Sequence, residues 1–217
     1  MALHKKKVVV IGIGCSGKTL LAKHLSRALP GSSTIIHQDD LCPPAEKVPY
    51  SDQYPDLQDW DDPEHCIRWP EFRSLLRQVR ETGKVGDYTS HDHLNKENKI
   101  GVDEKVFERC KQELDDLQEE QKSQRVELVW VIEVVDMLDI YIFLHVPYSL
   151  LKIRREQRQV YVMQRGVWVD PPGYFDKIVW PGYVKAHQDV FKDLKTGELE
   201  LCWGPKGRDL PRDVLPL

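Results

Sequence analysis

Val8-Val9-Val10-Ile11-Gly12-Ile13-Gly14-Cys15-Ser16-Gly17-Lys18-Thr19 decides the fold. Its first four residues are apolar and β-branched without alternation, the pattern of a parallel strand buried on both faces. Gly12 to Thr19 then fits G-x-x-x-x-G-K-[ST]. From Lys18 to Leu29, Leu21, Leu25 and Ala28 recur at helical spacing before Pro30-Gly31 ends the helix. Strand, glycine loop and helix in this order are the context that gives the pattern its meaning. Glycines let backbone N–H groups curl around phosphate oxygens without a Cβ in the way. The helix start adds unsatisfied donors and the positive end of a dipole. Gly12, Ile13, Gly14, Cys15, Ser16, Gly17, Lys18 and Thr19 are therefore expected to hold the phosphates of ATP, with Lys18 at the β- and γ-phosphates and the Thr19 hydroxyl on Mg²⁺.

Outward from this motif the chain alternates strands and helices. Thr34 to His37 reads as a second strand, Glu127 to Ile132 as a third and Ile140 to Val146 as a fourth, with Leu199 to Trp203 as a last one. Helices are expected over Pro63 to Glu81, Asp103 to Arg125 and Pro147 to about Gln159. Another is expected over Phe175 to Leu194, where Pro181 must kink or restart it. Leu41 to Asp62 is rich in proline and aspartate, carries no period and reads as a long surface loop, of the kind that is functional or disordered. Tyr161 to Tyr174 also reads as loop. The alternation predicts an α/β domain around a parallel sheet, one domain over residues 1–217 with a weakly anchored tail from 195 to 217.

A length of 217 residues suits one domain with a real core. The net charge of -4 argues against nucleic acid or an anionic membrane surface as partner. No apolar run reaches the ~18 residues of a membrane span. The basic start, Met1 to Lys7, lacks the apolar core and cleavage site of a signal peptide. A cytoplasmic protein is expected, with the nucleus as a further location left open. The five cysteines are widely spaced with no CxxC pair, so neither a disulfide framework nor a zinc site is indicated.

Several residues outside the glycine loop carry chemistry. Asp39, in Gln38-Asp39-Asp40, follows the second strand, and ligands of open α/β sheets bind beyond the carboxyl ends of strands. A carboxylate there accepts a proton from an attacking hydroxyl or holds a metal-bound water; a helix cap or solvated turn is the plainer alternative. Trp60-Asp61 offers a ring to stack a planar base and a carboxylate for a ribose diol, while Asp61 or Asp62 equally suits the cap of a helix starting at Pro63. Arg154, Arg155 and Arg158 end a helix, where cations complement the dipole or neutralise charge on a transferring phosphoryl group. His91-Asp92-His93 lacks the further ligands a metal site needs.

These segments together resemble the nicotinamide riboside kinases of the fungal type, within the uridine-kinase-like P-loop kinases. The resemblance is carried by the glycine loop, His37-Gln38-Asp39-Asp40, and Leu57-Gln58-Asp59-Trp60-Asp61-Asp62-Pro63-Glu64. It is also carried by Phe143-Leu144-His145-Val146-Pro147-Tyr148 and by Trp168-Val169-Asp170-Pro171-Pro172-Gly173-Tyr174-Phe175-Asp176 running on to Val179-Trp180-Pro181. It spans roughly Val8 to Phe191. It implies a three-layer P-loop fold with about five parallel strands in the order 2-3-1-4-5, helices on both faces and a lid over about 154–174. It implies a monomeric ATP-dependent kinase that phosphorylates the ribose 5′-hydroxyl of nicotinamide riboside, or of nicotinate riboside, for NAD synthesis. Asp39 would be the base and lie in the magnesium shell with Thr19 and Glu133. Trp60 would stack on the pyridine ring with Tyr161 as second wall, Asp61 and Arg155 would hold the ribose, and Arg154 and Arg158 would belong to the lid over ATP.

One connection departs from the family pattern. After Glu133 the family continues with Gly-Phe and a further stretch, whereas here only Val134 to Asp139 precede the fourth strand. Parallel strands need a crossover of about a dozen residues, and six extended residues span ~20 Å. A shortened third or fourth strand is expected, and with it a relative of impaired or no transfer activity as the alternative to an efficient kinase; a kinase for another nucleoside such as uridine is a further alternative. Leu41-Cys42 stands where the family carries an aromatic pair.

Overall fold

The computed structural model describes residues 4–11, 15–29, 33–91, 101–122, 126–130, 140–158, 160–163, 166–186, 191–193 and 198–199. Its main sheet has three parallel strands in the order β2-β1-β3: β1 His4–Ile11 in the centre, β2 Val126–Trp130 and β3 Ile140–Phe143 on either side. Helix α1 (Lys18–Ala28) follows β1, α2 spans Trp69–Thr82, α3 Glu104–Lys122, α4 Tyr148–Gln157 and α5 Trp180–Ala186. This is an α/β fold.

The register is staggered. β2 pairs with His4 to Val8, and β3 with Val8 to Ile11, so among the described residues the two flanking strands overlap opposite Val8. β2 is described to Trp130 and β3 from Ile140, and the link Val134–Asp139 and Glu133 lie outside the described residues. β1 begins at His4 rather than Val8, because the ladder to β2 recruits the basic residues Lys5 to Lys7.

Several expectations are corrected. Residues 33–37 make no ladder among the described residues, although His37 itself is extended; its N–H donates to the Tyr88 hydroxyl at 2.9 Å, and the fully buried Ile36 packs with Phe72, Leu76 and Val79 of α2. α2 starts at Trp69, not Pro63. The Asp62 carboxylate accepts from the Glu64 N–H at 2.9 Å, a side-chain turn that competes with helix. Pro70 then sits in the first turn of α2, and Gly83, at φ 70, closes it with its N–H on the Val79 carbonyl.

Residues 161–174 are not all loop. β4 (Tyr161–Met163) and β5 (Gly166–Trp168) form an antiparallel hairpin, as β-branched and aromatic residues favour. The helix expected over 175–194 ends at Ala186. It opens with a wide turn over Phe175–Val179, in which the Trp180 N–H reaches the Phe175 carbonyl just before Pro181, which has no N–H to give. Phe191–Asp193 (β6) instead places its backbone hydrogen bonds on Glu198–Leu199 (β7), so the last expected strand pairs antiparallel with β6 rather than joining the parallel sheet as far as it is described. Leu151 of α4, Tyr174, Phe175, Ile178 and Val179 form the core that fixes α4 against the 171–183 segment.

Candidate active site

The glycine loop enters α1 through Gly17, whose φ of 102 is left-handed and open to glycine at little cost. Cys15, at φ 68, is also left-handed without being glycine, a strained conformation of the kind found at ligand sites. Gly17 offers no side-chain cap, so the first-turn N–H groups of α1 keep their capacity for an anion. The Ser16 hydroxyl oxygen is buried and has no hydrogen-bond partner among the described residues. A phosphate fits these donors. Gly12, Ile13 and Gly14 lie outside the described residues.

Asp39 and Asp40 occupy one tight turn, Gln38–Leu41, and face different ways. Asp40 is buried: its carboxylate accepts from the His91 N–H at 3.1 Å and binds the Tyr88 hydroxyl and His91 Nδ1. It anchors the turn. Asp39 is exposed, and its Oδ2 accepts from the Tyr161 hydroxyl at the start of the β4–β5 hairpin. Burial, reinforced by the Asp39 charge, holds the Tyr161 phenol far above its usual pKa, so it stays a donor. His91 thus belongs to the anchor, and among the described residues no group of three His, Cys, Asp or Glu could hold a metal. Thr19 and Asp39 are oxygen donors, the kind Mg²⁺ takes, and an ion bound mainly by phosphates and water needs only one or two protein groups.

Asp61 does not cap a helix. Its carboxylate meets Arg155, with Nη1 at 3.4 Å from Oδ1 and Nη2 at 3.2 Å from Oδ2. Arg155 lies buried on α4, and its other edge binds Asp170, Nε to Oδ2 at 2.5 Å. Burial alone would lower the Arg155 pKa, but the two carboxylates outweigh it and the guanidinium stays charged. Asp170 feels the reverse. Its burial would raise its pKa, and the Arg155 hydrogen bond and charge, with the Trp168 N–H, hold it below the usual carboxylate value. Cys42 feels both Asp39 and Asp61; burial first, then those two charges, push its thiol up to about 12, so it remains neutral.

Trp60 packs against Trp168, ring centroids 5.3 Å apart, and its backbone N–H donates to the Tyr174 hydroxyl at 2.9 Å. Tyr174 is buried and donates in turn to the Gln58 carbonyl at 3.1 Å. The three arginines separate: Arg155 turns inward, Arg158 lies over the Tyr161 ring at 4.7 Å, and Arg154 is exposed with no described contact to the site. The resemblance grouped Asp61 with Arg155, which the structure joins, and set Tyr161 beside the ring of Trp60, whereas its hydroxyl here binds Asp39. Sequence reasoning missed Asp170, Trp168 and Tyr174 as supports, although all three stand in one quoted segment; the Pro171-Pro172-Gly173 turn between Asp170 and Tyr174 was the available signal.

The chain is similar to nicotinamide riboside kinase of Saccharomyces cerevisiae, at 31% identity over 210 residues, 93% of this chain and 85% of that protein. It is 30% identical to nicotinamide riboside kinase of Schizosaccharomyces pombe, over 86% of this chain and 82% of the other. Nicotinamide riboside kinase 2 of Homo sapiens is 28% identical over 95% of this chain and 79% of its own. No protein-family model matches the chain.

Proposed function

The chain belongs to the nicotinamide riboside kinases, and on that premise we propose that it transfers the γ-phosphoryl group of ATP to the ribose 5′-hydroxyl of nicotinamide riboside. The observation that carries this reading is the meeting of one loop with the lid: Asp39 with Tyr161, and Asp61 with Arg155.

Phosphates would rest on the loop from Gly12 to Thr19, with Lys18 at the β- and γ-phosphates. The nicotinamide ring would stand against Trp60 with Tyr161 opposite, and the ribose diol against Asp61 and Arg155. Tyr161 occupies Asp39 Oδ2, which leaves Oδ1 for the 5′-hydroxyl. That oxygen attacks the γ-phosphorus, the bond to the β,γ-bridging oxygen breaks, its electron pair leaves on ADP, and the hydroxyl proton passes to Asp39. Lys18 and Arg158 stabilise the charge on the moving group. Thr19 and Asp39, with Glu133, would hold Mg²⁺, which supplies further neutralisation of phosphate charge when bound.

The six residues Val134–Asp139, fewer than a parallel crossover needs, favour a second reading, a kinase slowed by its short link. Turnover of purified protein with nicotinamide riboside, ATP and Mg²⁺ tests both, against a panel containing nicotinate riboside and uridine. Nicotinamide riboside is expected to give the highest kcat/KM of the panel; preference for uridine, or no turnover at all, refutes the assignment.

A further inference from the structure

Arg155 is 6% exposed and carries two carboxylates on two edges. The Asp170 edge is the tighter: Nε to Oδ2 at 2.5 Å and Nη2 to Oδ1 at 3.2 Å. The Asp61 edge, at 3.4 and 3.2 Å, is at the long end of hydrogen-bond range. A guanidinium is a planar fork, so two bonds from Nε and Nη2 to one carboxylate set its plane and its rotation. Asp170 is itself fixed by the Trp168 indole N–H at 2.6 Å, and the Trp168 ring packs on Trp60. With Asp170 pairing the charge of Arg155, Asp61 is left loosely held, with lone pairs for other donors.

We propose that Asp170 is a positioning residue for the nucleoside site: it fixes the Arg155 plane so that Arg155 and Asp61 form a ready grip for the vicinal hydroxyls of a ribose. The proposal rests on the kinase reading above. Asp170 touches no substrate and acts through Arg155. The Trp168 bond and the Trp168–Trp60 contact tie the grip to the base wall, so a single carboxylate orders both halves of the pocket.

D170N tests it. Asparagine keeps the shape and an acceptor for Trp168 but turns an N–H toward, or removes a charge from, the Arg155 fork. With one charge-assisted pair lost, KM for the nucleoside is expected to rise about 10- to 100-fold, with kcat within about 3-fold and KM for ATP unchanged. In a D61A background the grip is already gone, so adding D170N should cost less than about 3-fold more. D170E, which keeps the charge, should recover part of the loss. A cement between α4 and the lid with no role in the grip would behave differently: KM would rise for ATP and nucleoside alike, or the D170N and D61A effects would multiply. Either result, or an unchanged nucleoside KM, overturns the proposal. If D170N does not fold, W168F, which deletes the indole N–H on Asp170, is read in the same way by nucleoside binding through tryptophan fluorescence, and an unchanged affinity overturns the proposal. If the wild type prefers uridine, the nicotinamide assignment fails while the same series run with uridine still decides the role of Asp170. A wild type that neither binds nor phosphorylates any nucleoside overturns both.

Discussion

Replacing Tyr174 with phenylalanine removes one oxygen from the centre of the pocket. The ring stays, so no cavity opens, and the Arg155 contact over its face at 5.7 Å is kept. What goes is a hydroxyl that donates to the Gln58 carbonyl at 3.1 Å and accepts from the Trp60 N–H at 2.9 Å. Each lost hydrogen bond is worth about 1 kcal/mol net, more where the abandoned partner stays dry. Gln58 and Trp60 are half-buried, so water reaches part of the gap. A total near 2 kcal/mol follows, or about 4–8 °C in Tm for a domain of this size. The freed Trp60 backbone also loosens the wall that, on the proposed reading, would face the nucleoside. Thermal melting and steady-state kinetics should therefore show a lower Tm, a several-fold higher nucleoside KM and an unchanged ATP KM. A Tm within about 1 °C of wild type together with an unaltered nucleoside KM would refute the assignment of Tyr174 as the tie of this loop.

Lys18→Ala should abolish phosphoryl transfer, by more than about 100-fold in kcat, while circular dichroism reports a folded protein; near-normal turnover removes the glycine loop from the mechanism. Asp39→Asn should lower kcat, since the carboxylate acts on the reacting hydroxyl, whereas Asp61→Ala should mainly raise nucleoside KM; intact nucleoside affinity in the second variant would sink the ribose role. Inserting a family-length connection after Glu133 should raise kcat and Tm and leave ATP affinity alone, because the phosphate loop is built from β1 and α1; no change in either quantity refutes the shortened-link account.

The parts of the fold that were legible in the sequence are those with a strong local cause. α1 was readable because Leu21, Leu25 and Ala28 repeat at helical spacing and Pro30-Gly31 stops them, and it runs Lys18–Ala28. The edge of α2 was not, because a turn made by the Asp62 carboxylate replaces a helical turn that Pro63 would have permitted. Thr34–His37 has strand composition, but its fate hung on a tyrosine hydroxyl 51 residues away. The same holds in the site. Asp39 and Asp61 stood out by position and neighbours, but nothing local said that Asp40 would be spent on His91 or that Arg155 would need a second carboxylate. Choices between two adjacent aspartates, or three nearby arginines, are made by partners distant in sequence.

That distance has a consequence for the order in which the molecule assembles. Asp61 is joined to Arg155 across 94 positions, Trp60 to Tyr174 across 114, and Asp39 to Tyr161 across 122. Contacts of such separation repay their loop-closure entropy late, whereas the order between Cys42 and Arg68 is short-range: the turn Ala45–Lys47, the Tyr50–Gln58 bridge and the turn at Asp62. A chain leaving the ribosome can wind α1 and α2 as soon as they emerge. Asp39, Trp60 and Asp61 meet their long-range partners only when α4 and the residues up to Tyr174 have followed. The phosphate end of the site is thus of early, local construction and the nucleoside end of late, global construction, so a chain interrupted before Tyr174 would lose nucleoside recognition first.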